Sequence, residues 1–466
     1  MSSKVSQRKQ KLARSPKTKS LSMARSTWLE LGCEICNRKC LETAFPISQS
    51  IDKDSYWSSH REKVKNSFVV SWDAYAKYTW GQDRFHPISK TGSQMSPSGL
   101  GWIVVDSLDT LMIMNLTTRL SEARKWCSRD LTYNQDQDVS TFEMTIRMLG
   151  GLLSAHYLST VLPDVSSRRD YIFLIPYASI NIGTRHGLPS HADGGASSTA
   201  EAITLQLAMK YLAHLTGNEV YCLKAKHFMK VIDGHRMQAG LLLIFVHPDT
   251  GHFRYKEIRL GSRGDPYYGK LPEQHLCLEW KADEPVYREM WEEALAGIQK
   301  HLVTSAKHSK LQFIAELLQG IGGPLPPKMD HLAMYTVTES GLSPEITWFD
   351  VDEADLRHHL PFLMYRMTND PMYRKWGWEI FKAFKKHTVA KDREGYTSLH
   401  DVIKVPTPQR DNIESFWLAE TLKYLYLLFS PRDFLQLAEV VFNTEAHVLP
   451  RFNQTRFQTG WSRRDI

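Results

Sequence analysis

The chain has 466 residues, of which 42% are hydrophobic and 23% charged, and a formal net charge of +7. That balance excludes a disordered or fibrous chain and leaves room for a sizeable core, in one large domain or two to three ordinary ones. No run of roughly 18 or more apolar residues occurs, which excludes a membrane-spanning helix within this sequence.

The first 29 residues carry eight Lys/Arg and no acid. Residues 1–55 are aperiodic and read as a disordered basic arm followed by an irregular segment. Such an arm can touch nucleic acid or an anionic membrane, but a solvated tail explains it as well. Beyond it, charges of both signs alternate and no groove for phosphates is in view, so no nucleic-acid partner is expected. The arm also lacks the apolar stretch of a secretory signal. Cys33, Cys36 and Cys40 space as C-x2-C-x3-C, which suggests zinc, yet no second ligand pair follows at finger spacing. Cys127, Cys222 and Cys277 read as isolated core thiols.

From residue 56 to 466 a single domain is expected. Apolar periodicity predicts helices over 60–80, 139–159, 199–216, 285–304, 371–387 and 411–430. The last of these is apolar on more than one face, so it should pack between neighbours. One strand signal stands out: Leu241–Val246 and Phe253–Leu260 flank Pro248-Asp249-Thr250-Gly251, residues suited to a chain reversal. Glycine-rich stretches at Asp193–Ser198 and Leu260–Gly264 should be loops. Helix pairs without a strict short repeat favour a closed all-α barrel over a solenoid. The 13 Trp and 19 Tyr serve carbohydrate sites and large helical cores alike.

Chemistry is suggested by carboxylates in apolar neighbourhoods. Glu143 and Arg147 lie at i, i+4 within VSTFEMTIRMLGG, an ordinary surface ion pair unless the apolar residues around them turn it inward. Asp106 and Asp109 punctuate WIVVDSLDTLMIM, Glu345 follows Leu342-Ser343-Pro344, and Glu414 and Glu420 lie in the last predicted helix. Asp265 follows Gly261-Ser262-Arg263-Gly264 and is either a turn aspartate or part of a loop that approaches a ligand. Buried acids are expensive unless paired, metal-linked or functional. Several of them spread along one helical barrel would suit a central pocket for glycoside hydrolysis, which needs one carboxyl as acid and another as base.

The strings SWDAYAKYTWGQD (71–83), GWIVVDSLDTLMIM (101–114), VSTFEMTIRMLGGLLSAHYLS (139–159), HADGGASSTAE (191–201), IRLGSRGDPYY (258–268), PKMDHL (327–332), GLSPEI (341–346), DNIESFWLAETLKYLYLLF (411–429), VFNTEAH (441–447) and TGWS (459–462) together resemble class I α-1,2-mannosidases, glycoside hydrolase family 47. They run in family order from about residue 60 to the end. The resemblance implies an (α/α)7 barrel with a small β-hairpin plug. It implies a calcium-dependent, inverting hydrolysis of terminal α-1,2-linked mannose from high-mannose N-glycans, by a monomer of the endoplasmic reticulum or Golgi. Glu143 matches the family's proton donor, Asp265 its second catalytic carboxylate and Glu345 a further essential acid. Asp106, Arg147, Glu201, Arg263, His331, Phe416, Glu420 and Glu445 match residues that line the pocket or hold the sugar and its waters. Thr444 matches the calcium ligand, and an oxygen-rich, many-coordinate shell suits that ion.

The chain also departs from the family. The family's base lies in an Arg-Pro-Glu-x-x-Glu-Ser stretch, whereas Asp355–Arg366 reads DLRHHLPFLMYR, with neither glutamate. His358 or His359 is a conceivable substitute, though a shortened loop rarely places one within reach. PKMDHL runs almost directly into Ala333–Gly341 where the family carries a helical insert, and no cysteine follows Cys277 to form the family's disulfide. Leu162–Ile175 is short and unlike the family's helix there. The alternative expectation is therefore a catalytically inactive relative that at most binds mannose glycans.

Overall fold

The computed structural model of the chain describes residues 55–162, 179–188, 195–248, 250–264, 267–268, 285–305, 312–326, 359–402, 404–452 and 463. The basic arm, Cys33, Cys36, Cys40, Cys277, Asp265, His331, Glu345 and His358 lie outside these residues, as does most of 162–175.

Helix α1 spans Ser55–Thr79. Trp57, Val64, Phe68, Trp72 and Tyr75 recur on one face and are buried, and the helix stops before Gly81, whose φ of 77° suits a residue without Cβ. Helices α2 (Trp102–Asp106) and α3 (Leu108–Ile113) follow almost without a break, and all of α3 is buried. Then come α4 (Thr117–Arg129) and α5 (Thr141–Glu143), the latter continuing through a π-helical turn, Met144–Leu149, into α6 (Gly150–Val161). Next are α7 (Thr199–Ile203), α8 (Leu205–Thr216), α9 (Glu219–Gly234) and α10 (Pro285–His301). Last are α11 (His359–Thr368), α12 (Pro371–His387), a second π-helical turn at Trp417–Thr421, and α13 (Leu422–Leu428). Asp370 starts α12 by accepting from Met372 N at 2.8 Å, with Pro371 in the first turn, where a missing N–H does no harm.

Helices pack largely on their chain neighbours, α8 on α9 and α11 on α12, while α13 closes against α1 and α11. Two large apolar clusters result among the described residues, beside a small one of Ala196, Ile244 and Phe245. The larger of the two draws on residues from Trp57 to Leu449, the smaller of them on Ile203 to Leu317. Each fully buried side chain such as Phe68 or Leu425 contributes about 1.5–3 kcal/mol.

The hairpin anticipated at 241–260 forms with strands Leu243–Val246 and Phe253–Ile258, and Ser197–Ser198 adds a third strand to it. Other short antiparallel pairs join the helices, notably Asp138–Ser140 with Ser179–Asn181, and Val440–Phe442 with Val448–Pro450. The second of these inserts among the helices: α6 packs on its returning strand, and its apex, residues 443–447, is almost entirely buried. One predicted helix needs correction. Residues 411–414 are not helical, because Gln409–Arg410 pair with Ser398–Leu399 and Ile413 bonds to Phe85, so the helix begins only at Ser415.

Candidate active site

Glu143 stands where a strand becomes a helix. Ser140 ends the strand in extended geometry (φ −65°, ψ 123°) and its Oγ accepts from Glu143 N at 3.3 Å, which caps α5 and sets Glu143 in the first turn. The π-helical turn that follows, a feature frequent at functional sites, carries Arg147 beneath it. Arg147 Nε donates to Glu143 Oε2 at 2.7 Å, while Nη1 donates to Asp106 Oδ2 at 3.2 Å, to Ser415 Oγ at 3.0 Å and to Glu445. The Trp102 ring lies 5.5 Å from the guanidinium carbon. The inward reading of the i, i+4 pair is the correct one: the Arg147 side chain is 13% exposed.

Three carboxylates thus share one guanidinium. Burial opposes the charge on Arg147, but Glu445, Asp106 and Glu143 outweigh it and hold the group firmly protonated. Asp106 is fully buried, which favours its neutral form, yet hydrogen bonding to His447 and the Arg147 charge keep it below its ordinary range. Burial pushes the Glu420 carboxyl, on the second π-helical turn, up to about 7, with the Asp106 charge adding to the rise. Burial likewise lifts Glu445, with Asp106, Glu420 and Glu143 as like-charged neighbours.

A cavity of about 740 Å³ opens over this cluster, with Trp102, Asp138, Glu143, Arg147, Asp411 and Glu414 in its wall. The Glu143 side chain is 35% exposed, the most open of the Arg147 partners. Asp138 and Asp411 escaped the sequence reading; Asp138 opens a three-residue strand and Asp411 follows a two-residue one, both too short for periodicity to mark.

The other anticipated residues fall into place unevenly. Glu201 closes a capping box at the start of α7, accepting from Ser198 N at 2.8 Å, and α7 packs on α5 beside Glu143. Arg263 (φ 73°) lies next to it: its carbonyl accepts from Ala200 N and Thr199 Oγ1, both at 3.0 Å, and its guanidinium stands 4.9 Å from the Phe245 ring centre. Phe416, half-buried, directly precedes the second π-helical turn. Thr444 rides on the hairpin apex, where Asn443 Oδ1 accepts from Glu445 N at 2.9 Å and His447 N at 2.8 Å and so shapes the turn. Thr444 Oγ1 is buried and has no hydrogen-bond partner among the described residues. A buried orphan hydroxyl next in the chain to Glu445, whose carboxyl is raised by burial, is a donor set that fits a hard cation.

On the far side of the cluster, sequence reasoning singled out Asp109 but missed its partners His447, Lys423 and Ser154. His447, Asp109, Lys423 and Ser154 join there, with Lys423 Nζ donating to Asp109 Oδ2 at 2.8 Å and Ser154 Oγ to the same oxygen at 2.9 Å. The signal available was slight: a lysine inside the apolar string LKYLYLLF and a histidine just after Glu445.

An all-α barrel whose pocket gathers carboxylates around one guanidinium and an aromatic face has the make-up of a carbohydrate-processing enzyme. Comparison with known proteins narrows this. The model of glycosyl hydrolase family 47 matches residues 67–344 and 361–451, and the chain belongs to that family. It is 40% identical to a mannosyl-oligosaccharide 1,2-alpha-mannosidase of Candida albicans, over 88% of this chain and 87% of that one. It is 36% identical to the endoplasmic reticulum mannosyl-oligosaccharide 1,2-alpha-mannosidase of Saccharomyces cerevisiae, over 86% and 93%. The fold matches the solved alpha-1,2-mannosidase from Trichoderma reesei with a TM-score of 0.70 at 21% identity, over 85% of this chain and 99% of that one. The architecture is thus the anticipated (α/α)7 barrel. No helix among the described residues is long and apolar enough to cross a membrane.

Proposed function

We propose that this chain hydrolyses terminal α-1,2-linked mannose from mannosyl-oligosaccharides, specifically high-mannose N-glycans, with inversion and with calcium. The observation that carries the reading is Glu143, held by Arg147 at the edge of the 740 Å³ cavity. Its partial exposure lets it meet a glycosidic oxygen, and protonating that oxygen is the task of the acid in glycoside hydrolysis. Asp265 and Glu345 are proposed as the further carboxyls. In an inverting enzyme the acid and base stand roughly 6.5–9.5 Å apart to admit water. Asp106 and Arg147 would orient Glu143, and Glu201, Arg263, His331, Phe416 and Glu420 would hold the sugar. Thr444 would ligate calcium, with Glu445 and Glu420 holding its waters. When bound, the ion supplies a hard positive charge for sugar hydroxyls and for water. The names of the relatives support a place in the endoplasmic reticulum and a part in N-glycan processing.

Purified protein incubated with calcium and a high-mannose oligosaccharide should release mannose, and EDTA should stop it. Proton NMR of the first product should show the β-anomer; the α-anomer would reject inversion, and no release would reject hydrolysis. One observation favours a second reading, glycan binding without turnover: the family match leaves out residues 345–360, which adjoin and overlap the stretch lacking the family's two glutamates. Calorimetry showing calcium-dependent binding of the oligosaccharide, with no mannose released, would select it.

A further inference from the structure

We propose that His447 is a positioning residue of this pocket, an imidazolium wedged between two carboxylates that aligns Asp106 and, through it, the guanidinium that orients Glu143. The inference rests on the hydrolytic reading of the pocket for its kinetic consequence, but not for its geometry.

The geometry begins with the two ring nitrogens. Nε2 lies 3.1 Å from Asp106 Oδ1 and Nδ1 lies 3.0 Å from Asp109 Oδ2, with all three side chains fully buried. An ionised carboxylate only accepts hydrogen bonds, and a neutral imidazole donates from one nitrogen alone. Two carboxylate partners therefore require a proton on each nitrogen. Burial opposes that charge, while Asp109 and Asp106 favour it and keep the ring protonated above its usual range.

The links on either side are equally defined. Asp106 turns its other oxygen to Arg147 Nη1 at 3.2 Å, and Arg147 Nε reaches Glu143 at 2.7 Å, so three bonds lead from the ring to Glu143. On the far side Asp109 is anchored by Lys423, which also donates to Ala446 O at 2.8 Å, next to His447 in the chain. The charged groups around the ring are thus Asp106, Asp109 and Lys423 at first hand, with Arg147, Glu420 and Glu445 beyond.

The ring also has a tailored slot. Gly150 and Gly151 directly follow the π-helical turn that bears Arg147. A Cβ on Gly150 would meet Asn443 Nδ2 at 2.4 Å and His447 Cδ2 at 2.9 Å; one on Gly151 would meet the Val105 carbonyl oxygen at 2.7 Å. Only residues without a side chain let the imidazole reach both aspartates. The backbone of His447 is tied in turn to Asn443, on the hairpin that presents Thr444 and Glu445.

Two substitutions separate the ring's two bonds. In His447→Gln the amide nitrogen reaches the place of Nε2 and can still donate to Asp106. In His447→Asn it takes the place of Nδ1 and keeps only Asp109. With the calcium-loaded full chain and a high-mannose oligosaccharide, His447→Asn should lower kcat by up to about 100-fold with little change in KM, as displaced catalytic geometry does. His447→Gln should recover most of that loss although both variants lose similar thermal stability. Equal kcat losses in the two variants, or none in either, would overturn the proposal. Should the wild-type chain release no mannose, the hydrolytic reading fails and the positioning role is decided by NMR of the histidine- and arginine-labelled protein. Two ring N–H signals for His447 at pH 8, and an Arg147 Nε signal that moves in His447→Asn but not in His447→Gln, uphold it. A neutral ring, or an Arg147 signal indifferent to both changes, refutes it.

Discussion

Arg147 is the residue on which the pocket converges, and its partners differ in how much they depend on it. Asp106 and Glu445 are 0% and 2% exposed, whereas Glu143 keeps 35% of its side chain open. Removing one member of a buried ion pair costs about 3–5 kcal/mol, because the partner charge stays behind without compensation. Arg147→Met should therefore lower the unfolding free energy by about that amount in a urea titration. Glu143→Gln should leave stability nearly unchanged and instead lower kcat by about 10²–10⁴-fold, the usual yield of a positioned acid. Arg147→Lys is no conservative alternative, since an ammonium cannot span Glu143 and Asp106 as a planar fork does. The same residues set a pH window. Asp106 and Asp109 are held low in the folded chain by His447 and by Arg147 or Lys423, so their contribution is present above the ordinary carboxylate range and fades as pH falls through their lowered values. His447 is held high, so its contribution is complete below about pH 6.5 and fades as pH rises through its raised value. Thermal unfolding followed from neutral to alkaline pH should show that decline in the wild type and lose it in His447→Gln; identical slopes in the two would contradict the assignment.

Elements carry the next level of control. Both carboxylate-bearing helices contain a π-helical turn, at Met144–Leu149 and at Trp417–Thr421, and each shifts the face on which the following side chains project. Such turns cannot be read from a 3.6-residue period, and neither can the pairing of Ile413 with Phe85 that keeps 411–414 out of the predicted helix, whereas the long helices at 55–79 and 371–387 were legible. The two- and three-residue strands were equally hidden, being too short for an alternation to show. In the pocket, Glu143 and Arg147 announced themselves by their spacing, and Asp106 by standing in an apolar run. Lys423 did not, since its partner Asp109 lies 314 residues away and only the folded chain brings them together. The glycine pair gives a test at this scale. In a helix Gly→Ala ordinarily stabilises by roughly 0.5–1 kcal/mol. At Gly150 the added methyl would strike Asn443 and His447, and overpacking of this kind costs about 1–3 kcal/mol. Gly150→Ala should thus lower the melting temperature, and a rise would show that the slot is looser than described. The turn that follows α3 offers another. Asn115 (φ 49°) opens an Asn-Leu-Thr sequon on the surface, so a chain routed through the secretory pathway should lose mass at that residue on treatment with an amidase that removes N-glycans.

Across the whole molecule, the hairpin apex ties distant parts of the chain into one unit. Through Asn443, Glu445 and His447 it bonds to residues of α2, α3 and the first π-helical turn, while Lys423 of α13 bonds back to it. All these elements belong to the larger apolar cluster, whereas the smaller one, from Ile203 to Leu317, shares none of them. A cation held at Thr444 would therefore stabilise the two clusters unequally. Ligand binding to the folded state alone adds about 2.7 kcal/mol at a hundredfold excess over Kd. Calcium should accordingly raise the melting temperature, and hydrogen exchange should slow more at buried amides of the larger cluster, such as those of Leu108–Ile113 and Leu422–Leu428, than at those of Pro285–His301. Thr444→Val replaces the orphan hydroxyl by a methyl of similar size and should abolish both effects while leaving the calcium-free protein as stable as before. Equal protection of the two clusters would mean that the ion acts elsewhere, and an undiminished calcium response in Thr444→Val would remove Thr444 from its shell.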